Sequence, residues 1–217
     1  MIYDWLIEAL LMFLLVFTPL AFGAVHPLPI AIFEVAAALL GIFWIFKMLS
    51  PSKPEFIGSP ILALFLVLIS CASLQLFFSL PTTNYLLPTT IYSWATKTEL
   101  LKLIAYLLIF LVTLNTIRTK AQIKRVMLAI ITIGFLMSIF FLMRYFGAPA
   151  PTGFINSDHF SAYLGMIIPL SLGLLLIADT SVRQLLFFTI IVMGGALFFT
   201  MSRGGMFSFV AALLFIA

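Results

Sequence analysis

The feature that most limits what this chain can fold into is a succession of apolar runs, each about the 20 residues that a membrane-spanning helix needs. Peptide groups in hydrocarbon must find their hydrogen bonds within the protein, which leaves helices or a closed barrel. These runs are uninterrupted and lack the period-two alternation of barrel strands, so they predict helices. Cut at charges, prolines and polar clusters, they give eight segments, at about 5–25, 29–49, 60–80, 99–117, 125–146, 159–178, 184–202 and from Gly205 onward.

Composition excludes the alternatives. The chain is 64% hydrophobic and 8% charged, with 24 Phe, against about 45–50% and about 25% in an average soluble domain. That leaves too little polar surface for a soluble enzyme, a disordered tail or a coiled coil. The single cysteine, Cys71, lies within an apolar run; it excludes an intrachain disulfide framework or a cysteine-based zinc cluster and is expected to serve in packing. The net charge of +4 does not imply nucleic acid, because the basic residues sit at the ends of apolar runs, where membrane topology accounts for them.

The expected fold class is therefore all-α, a polytopic transmembrane helix bundle. The first segment carries Asp4 and Glu8 and lacks the basic leader and small-residue cleavage site of a signal peptide, so it is expected to be a retained span. The last runs apolar from Met206 to Ala217, too short at about 1.5 Å per residue to cross a core about 30 Å thick. The expectation is a single incomplete domain over 1–217. No solenoid-length repeat or low-complexity linker interrupts it.

Lysine and arginine, not net charge, set orientation. Lys47, Lys53, Arg118, Lys120, Lys124, Arg125 and Arg183 collect on one side, and Lys97, Lys102, Arg144 and Arg203 on the other. Seven against four predicts a cytoplasmic N terminus. The outer side then holds the turn at His26, the segments from Pro81 to Thr98 and from Gly147 to Asp158, and the turn at Arg203. Trp5 and Trp44 fall at the inner boundary, and Tyr85, Tyr92, Trp94 and Tyr145 at the outer one, as interfacial aromatics do.

An ionisable group within a span costs at least about 2.5–3.5 kcal/mol on insertion scales and is a functional candidate. Glu34, Lys102, Arg144, Asp158, His159 and Arg203 qualify, all near outer helix ends. In the stretch 152–169, Asn156 or Ser157 can cap the helix that follows, and Asp158 complements its dipole. Asn156, His159 and Tyr163 share one face by their spacing of three and four. Ser157, Ser161, Gly165, Pro169 and Gly173 recur every fourth residue, a small-residue seam that admits a neighbouring helix. Two readings stand side by side: a capped, tightly packed helix with a histidine at the headgroups, or Asn156 and His159 facing a polar pocket open to the outer surface.

The second cluster is Thr200-Met-Ser-Arg-Gly-Gly205. Arg203 has no acidic neighbour in sequence, its guanidinium fork suits phosphate, and Gly204 and Gly205 can supply a helix C-cap and exposed N–H groups. A snorkelling arginine beside capping glycines is the bland alternative, although snorkelling does not require Ser202 and two glycines beside the charge. Arg144, next to Tyr145, pairs with headgroups on the simplest reading. Glu34 is either an ion-pair partner for Arg203 or Arg144 or a lone protonated carboxyl packed among helices. Lys102 follows Glu99 by three and reads as an ion pair; His26 reads as a turn residue. No metal-ligand cluster, P-loop or serine triad can be assembled.

Three stretches together, Pro19-Leu-Ala-Phe-Gly-Ala-Val-His-Pro27, Gly153-Phe-Ile-Asn-Ser-Asp-His-Phe-Ser-Ala-Tyr-Leu164 and Thr200-Met-Ser-Arg-Gly-Gly205, resemble the bacterial O-antigen ligase and O-antigen polymerase family. The resemblance follows the hydropathy order of the whole chain, and the latter two motifs are the more specific. It implies a multi-span glycosyltransferase of the bacterial plasma (inner) membrane, with roles in lipopolysaccharide and polysaccharide biosynthesis. Such enzymes take a glycan from an undecaprenyl diphosphate carrier on the extracytoplasmic (periplasmic) face and pass it to lipid A core or another glycan acceptor, with no metal and no cofactor. By resemblance Arg203, with Ser202, Gly204 and Arg144, holds the carrier diphosphate, while Asn156, His159, Tyr163 and Glu34 line the pocket. The family's proposed catalytic histidine belongs to a later outer loop, so no catalytic residue is assigned here and a chain ending at Ala217 is expected to be inactive alone. Membrane lipids and the carrier-linked glycan are the expected partners. Two other classes compete: a transporter or lipid-carrier flippase, which needs ionisable groups near the bilayer midplane or broken helices, and a non-catalytic scaffold whose Gly and Ser seams only pack helices.

Overall fold

The computed structural model describes residues 2–21, 23, 26–50, 55–78, 92–150 and 156–216. Phe22, Ala24, Val25, Lys53, the stretch 81–91 with Tyr85, and 152–155 lie outside the described residues. Among the described residues there are eight α-helices and no strand: α1 (Ile2–Leu20), α2 (Pro27–Leu49), α3 (Pro60–Phe78), α4 (Ser93–Thr116), α5 (Lys120–Tyr145), α6 (Ser157–Ile177), α7 (Thr180–Phe199) and α8 (Arg203–Ile216). The first seven are long and apolar enough to cross a membrane, and α8 is a shorter apolar helix. This is the all-α, multi-pass membrane architecture expected from the apolar runs.

Several helices begin earlier than the apolar runs do, because a helix continues past the hydrocarbon as long as its ends are capped. α4 starts at Ser93 rather than near 99, and its polar first turns bond back onto it: Thr98 Oγ1 donates to the Trp94 carbonyl at 3.0 Å. α5 starts at Lys120 rather than near 125 because Thr119 and Gln122 form a capping box, with Gln122 N–H to Thr119 Oγ1 at 3.2 Å and Thr119 N–H to Gln122 Oε1 at 3.1 Å. α2 and α3 open on Pro27 and Pro60, a position where the missing N–H costs nothing.

The helices fall into two compact units. The first comprises Met1–Leu11 and Ile30–Arg118. Its buried core is Ile7 and Leu11 of α1, Leu40 of α2 and Val112 of α4, with Trp44 and Ile109 packed around them. A Cβ placed on Gly41 would meet Leu108 at 3.2 Å, so the glycine lets α2 and α4 close. Phe33 and Tyr106 join the same pair of helices with ring centroids 5.5 Å apart. Asp4 pairs with Lys47 at 2.8 Å, tying the start of α1 to the end of α2, and Lys102 pairs with Glu99 at 2.7 Å as its spacing predicts. α3 packs along α4 and has no buried residue. Cys71, expected to pack, is exposed there. An apolar helix face meets no hydrophobic penalty against lipid, so α3 needs no deeper seat.

The link from α2 to α3 is held by groups that carry no warning in the sequence. Asn115, buried near the end of α4, accepts the Ile57 N–H at 2.7 Å and donates to the Ile57 carbonyl at 3.2 Å and the Leu111 carbonyl at 2.9 Å. Its amide thus copies a peptide partner for the backbone of Ile57. Arg118 Nη2 adds a bond to the Glu55 carbonyl at 2.6 Å.

The second unit comprises Met12–Pro29 and Thr119–Ala217. α5, α6 and α7 share a core of Ile131, Met137, Phe160, Leu164, Ile168 and Met193. Gly134 is buried at its middle, where a Cβ would stand 3.0 Å from Ile167 and 3.3 Å from the Met193 sulfur. α8 lies along α6 and touches α7 more briefly.

Asn115→Leu keeps the bulk and removes all three hydrogen bonds, stranding the Ile57 peptide group. The expected loss is about 1–3 kcal/mol, read as a lowered thermal unfolding midpoint in detergent micelles; an unchanged midpoint would refute the anchoring role.

Candidate functional site

Most of the residues singled out from sequence lie in the second unit, at the end where α5 and α7 finish and α6 and α8 begin. The Asn156 side chain caps α6, its Oδ1 accepting the Asp158 N–H at 2.8 Å. Asn156, Asp158 and His159 are exposed, and Tyr163, one turn further, is half-buried. The Ser161 hydroxyl donates to the Asp158 carbonyl at 2.8 Å and is buried.

The turn from α7 to α8 departs from the sequence expectation. Gly204 and Gly205 do not form a C-cap: they occupy the first turn of α8, and the left-handed residue is Met201, with φ of 54°. A methionine in that conformation is sterically disfavoured, and Thr200 supports it, its hydroxyl donating to the Leu197 carbonyl at 2.6 Å and accepting the Ser202 N–H at 3.3 Å. Ser202 is buried, and its Oγ accepts the Gly205 N–H at 3.3 Å while its carbonyl accepts the Met206 N–H at 3.1 Å. The serine expected to touch a ligand is therefore engaged in starting α8, and it contributes to the site by placing Arg203. Arg203 and Gly204 are exposed at the first two helical positions, where N–H groups have no intrahelical acceptor.

Glycine at 205 has a steric reason. A Cβ there would overlap both Cβ and Oγ of Ser161, and one turn on, a Cβ at Gly165 would lie 3.4 Å from Ser208 Oγ. The seam of small residues on α6 is thus filled by α8 at Ser161 and Gly165, whereas nothing lies within 4 Å of a Cβ at Gly173. Contacts of 161 with 205 and of 165 with 208 advance together along both helices, so α6 and α8 run parallel with adjacent N termini. His159 and Arg203, two residues before the paired Ser161 and Gly205, stand in neighbouring first turns.

Aromatic rings bring the end of α5 to the same layer. Phe141 packs on Phe160 at 5.0 Å, and Tyr145 and Phe146 on Phe199 at 4.9 and 5.5 Å. Arg144 is exposed in the last turn of α5. Beyond it Gly147, with φ of 80°, ends the helix: its N–H bonds to the Arg144 carbonyl at 3.1 Å and the Ala148 N–H to the Met143 carbonyl at 2.8 Å, a Schellman closure. These aromatic contacts bridge distant segments, and no local pattern in the sequence announces them.

Glu34 belongs to the first unit. It is half-buried in α2, and its Oε1 is buried without a hydrogen-bond partner among the described residues, as are Trp44 Nε1 and Thr116 Oγ1. Among the described residues no three His, Cys, Asp or Glu side chains come together as metal ligands would.

The layer formed by Arg144, Asn156, His159 and Arg203 combines two adjacent helix N termini with two exposed guanidinium groups. Two dipoles converge positive ends there, each equivalent to roughly half a charge, beside one acidic side chain, Asp158. Such an arrangement suits an anion with several acceptor oxygens. Comparison with protein-family models, with curated proteins and with solved structures finds no match to this chain.

Gly205→Ala should force α6 and α8 apart, since the Ser161 Cβ cannot rotate away, at about 1–3 kcal/mol. Gly204→Ala, with nothing within 4 Å, should be neutral or stabilising by up to about 1 kcal/mol. Thermal unfolding of both in micelles tests the difference, and Ser161→Gly in the Gly205→Ala background should recover the loss.

Proposed function

We propose that this protein is a membrane glycosyltransferase of the O-antigen ligase or polymerase type, acting on a glycan linked to undecaprenyl diphosphate at the extracytoplasmic face of the bacterial plasma membrane. The observation that carries the reading is the close approach of Ser161 and Gly205. It sets the two motifs that resemble the family, one opening α6 and one opening α8, side by side in space although some 40 residues separate them in sequence.

The chemistry of a carrier diphosphate fits this layer. Arg203 offers a planar fork of donors to two phosphate oxygens. The Arg203 and Gly204 N–H groups and the α8 dipole favour the same charge. Arg144, at the end of α5, supplies a second cation. His159 and Asn156 stand in the neighbouring first turn, where they contact the sugar next to the diphosphate. In departure from the carrier, the leaving group is a phosphate oxygen, and fixed positive charge stabilises it as the glycosidic bond breaks. These residues bind and polarise; the group that activates the acceptor hydroxyl is not among them.

The rival reading, a transporter or carrier flippase, draws on Glu34 and its unpartnered Oε1, an ionisable group of the kind that marks transport pathways.

Arg203→Lys separates the two. In protein expressed from the natural reading frame, glycan transfer from the carrier-linked donor should fall by about 100-fold or more with membrane levels unchanged, because removing one fixed donor to developing charge costs about that much. Near-normal transfer by this variant, together with complete loss in Glu34→Gln, would move the assignment to transport.

A further inference from the structure

At the opposite end of the second unit, α5, α6 and α7 line a half-open cavity of about 320 Å³, at the lower end of the roughly 300–1,000 Å³ of small-molecule sites. Its wall is apolar: Met127 from α5, Leu174 and Ile177 from α6, and Val182 from α7. The charged lining residues are Lys120, Lys124 and Asp179, all exposed.

The two lysines are four residues apart at the start of α5, so their ammonium groups lie on one face of the helix, one turn from each other. Among the described residues no ion pair joins either of them to Asp179 or to another acid. Asp179 sits at the N-cap of α7 but its side chain makes no capping bond. Two cations, Lys120 and Lys124, thus meet one carboxylate, Asp179, in the lining of this cavity.

An apolar wall beneath a basic rim, at the boundary of a membrane-spanning bundle, matches one ligand chemistry, an acyl chain joined to a phosphate. We propose that the cavity is a site for a single anionic phospholipid, with an acyl chain along Met127, Leu174, Ile177 and Val182 and the phosphate between Lys120 and Lys124. Asp179 selects among anionic headgroups: its carboxylate accepts a hydrogen bond from a hydroxyl, as the glycerol headgroup of phosphatidylglycerol provides, and repels a headgroup carrying a second negative charge there. The assignment does not rest on the glycosyl-transfer reading, because it concerns other residues at the other end of the helices.

The test is lipid retention by the whole chain, measured by native mass spectrometry after exposure to equimolar dioleoyl phosphatidylglycerol and dioleoyl phosphatidylcholine. One phosphatidylglycerol per chain should be retained in preference, and Lys120→Gln and Lys124→Gln should each lower that preference by about fivefold. Val182→Trp, which fills the cavity, should abolish retention of both lipids. Equal retention of the two lipids by the unaltered protein would overturn the proposal, as would a preference that survives loss of both lysines. Displacement of phosphatidylglycerol by undecaprenyl phosphate would assign the cavity to a polyprenyl carrier and overturn it too. Should Val182→Trp fail to fold, the exposed lysine variants and the unaltered protein still decide the outcome.

Discussion

A peptide group left without a partner in hydrocarbon costs several kcal/mol, and the helix ends of this protein are organised around that cost. Four of the described ends are closed by residues at or beside the end itself. Thr119 and Gln122 close the start of α5, Asn156 the start of α6, Ser202 the start of α8, and Gly147 the end of α5. One polar side chain of the candidate site, Asn156, is itself a capping group, and Ser202 starts the helix that carries Arg203. Fold and site therefore draw on one set of atoms: the bonds that allow a helix to begin at Asn156 or Ser202 also fix where the neighbouring exposed residues, His159 and Arg203, project.

The two arginines of the layer differ in a way that bears on function. Arg144 occupies the last turn of α5, where a cation is favoured by the helix dipole by about 0.3–1 kcal/mol. Its position has a structural reason that needs no ligand. Arg203 occupies the first turn of α8, where the same dipole opposes it, next to the start of α6. A residue placed against its local field gains nothing from the dipole, and the anion proposed for this layer would reverse the sign of that interaction. That contrast makes Arg203 the more informative of the two.

The spans were legible because continuous apolarity over about 20 residues has few physical outcomes, and the order and number of helices followed from it. Their ends were less legible, since apolarity reports the hydrocarbon and capping reports the helix. Asn156 as a cap, the Glu99 and Lys102 pair and the small-residue seam on α6 could be read because each depends on a spacing of two to four positions. Asn115 could not: its partner is Ile57, 58 positions distant, and nothing around it distinguishes it from an asparagine facing water. The α7–α8 turn was misread for a related reason. Two consecutive glycines are the usual signal of a left-handed residue, yet here the conformation falls on Met201, and Gly205 is needed instead by a helix more than 40 positions earlier.

Small residues set the shape of the second unit by deciding where helices may close. Gly134 lets α5 approach Ile167 and Met193 near mid-bundle, and Gly205 lets α8 approach Ser161 at one end. Towards the other end, Ile123 and Met127 of α5 and Leu174 and Ile177 of α6 line the cavity, with Ala178 beside them. Here no glycine contact of the kind made at Gly134 or Gly205 draws the helices together: nothing lies within 4 Å of a Cβ at Gly173, and the space among α5, α6 and α7 stays unfilled. An acyl chain seated in that gap would supply the dispersion contacts that the side chains leave unmade. The same rule thus yields a tight, polar, dipole-focused layer at one end of the unit and an open apolar groove with a basic mouth at the other.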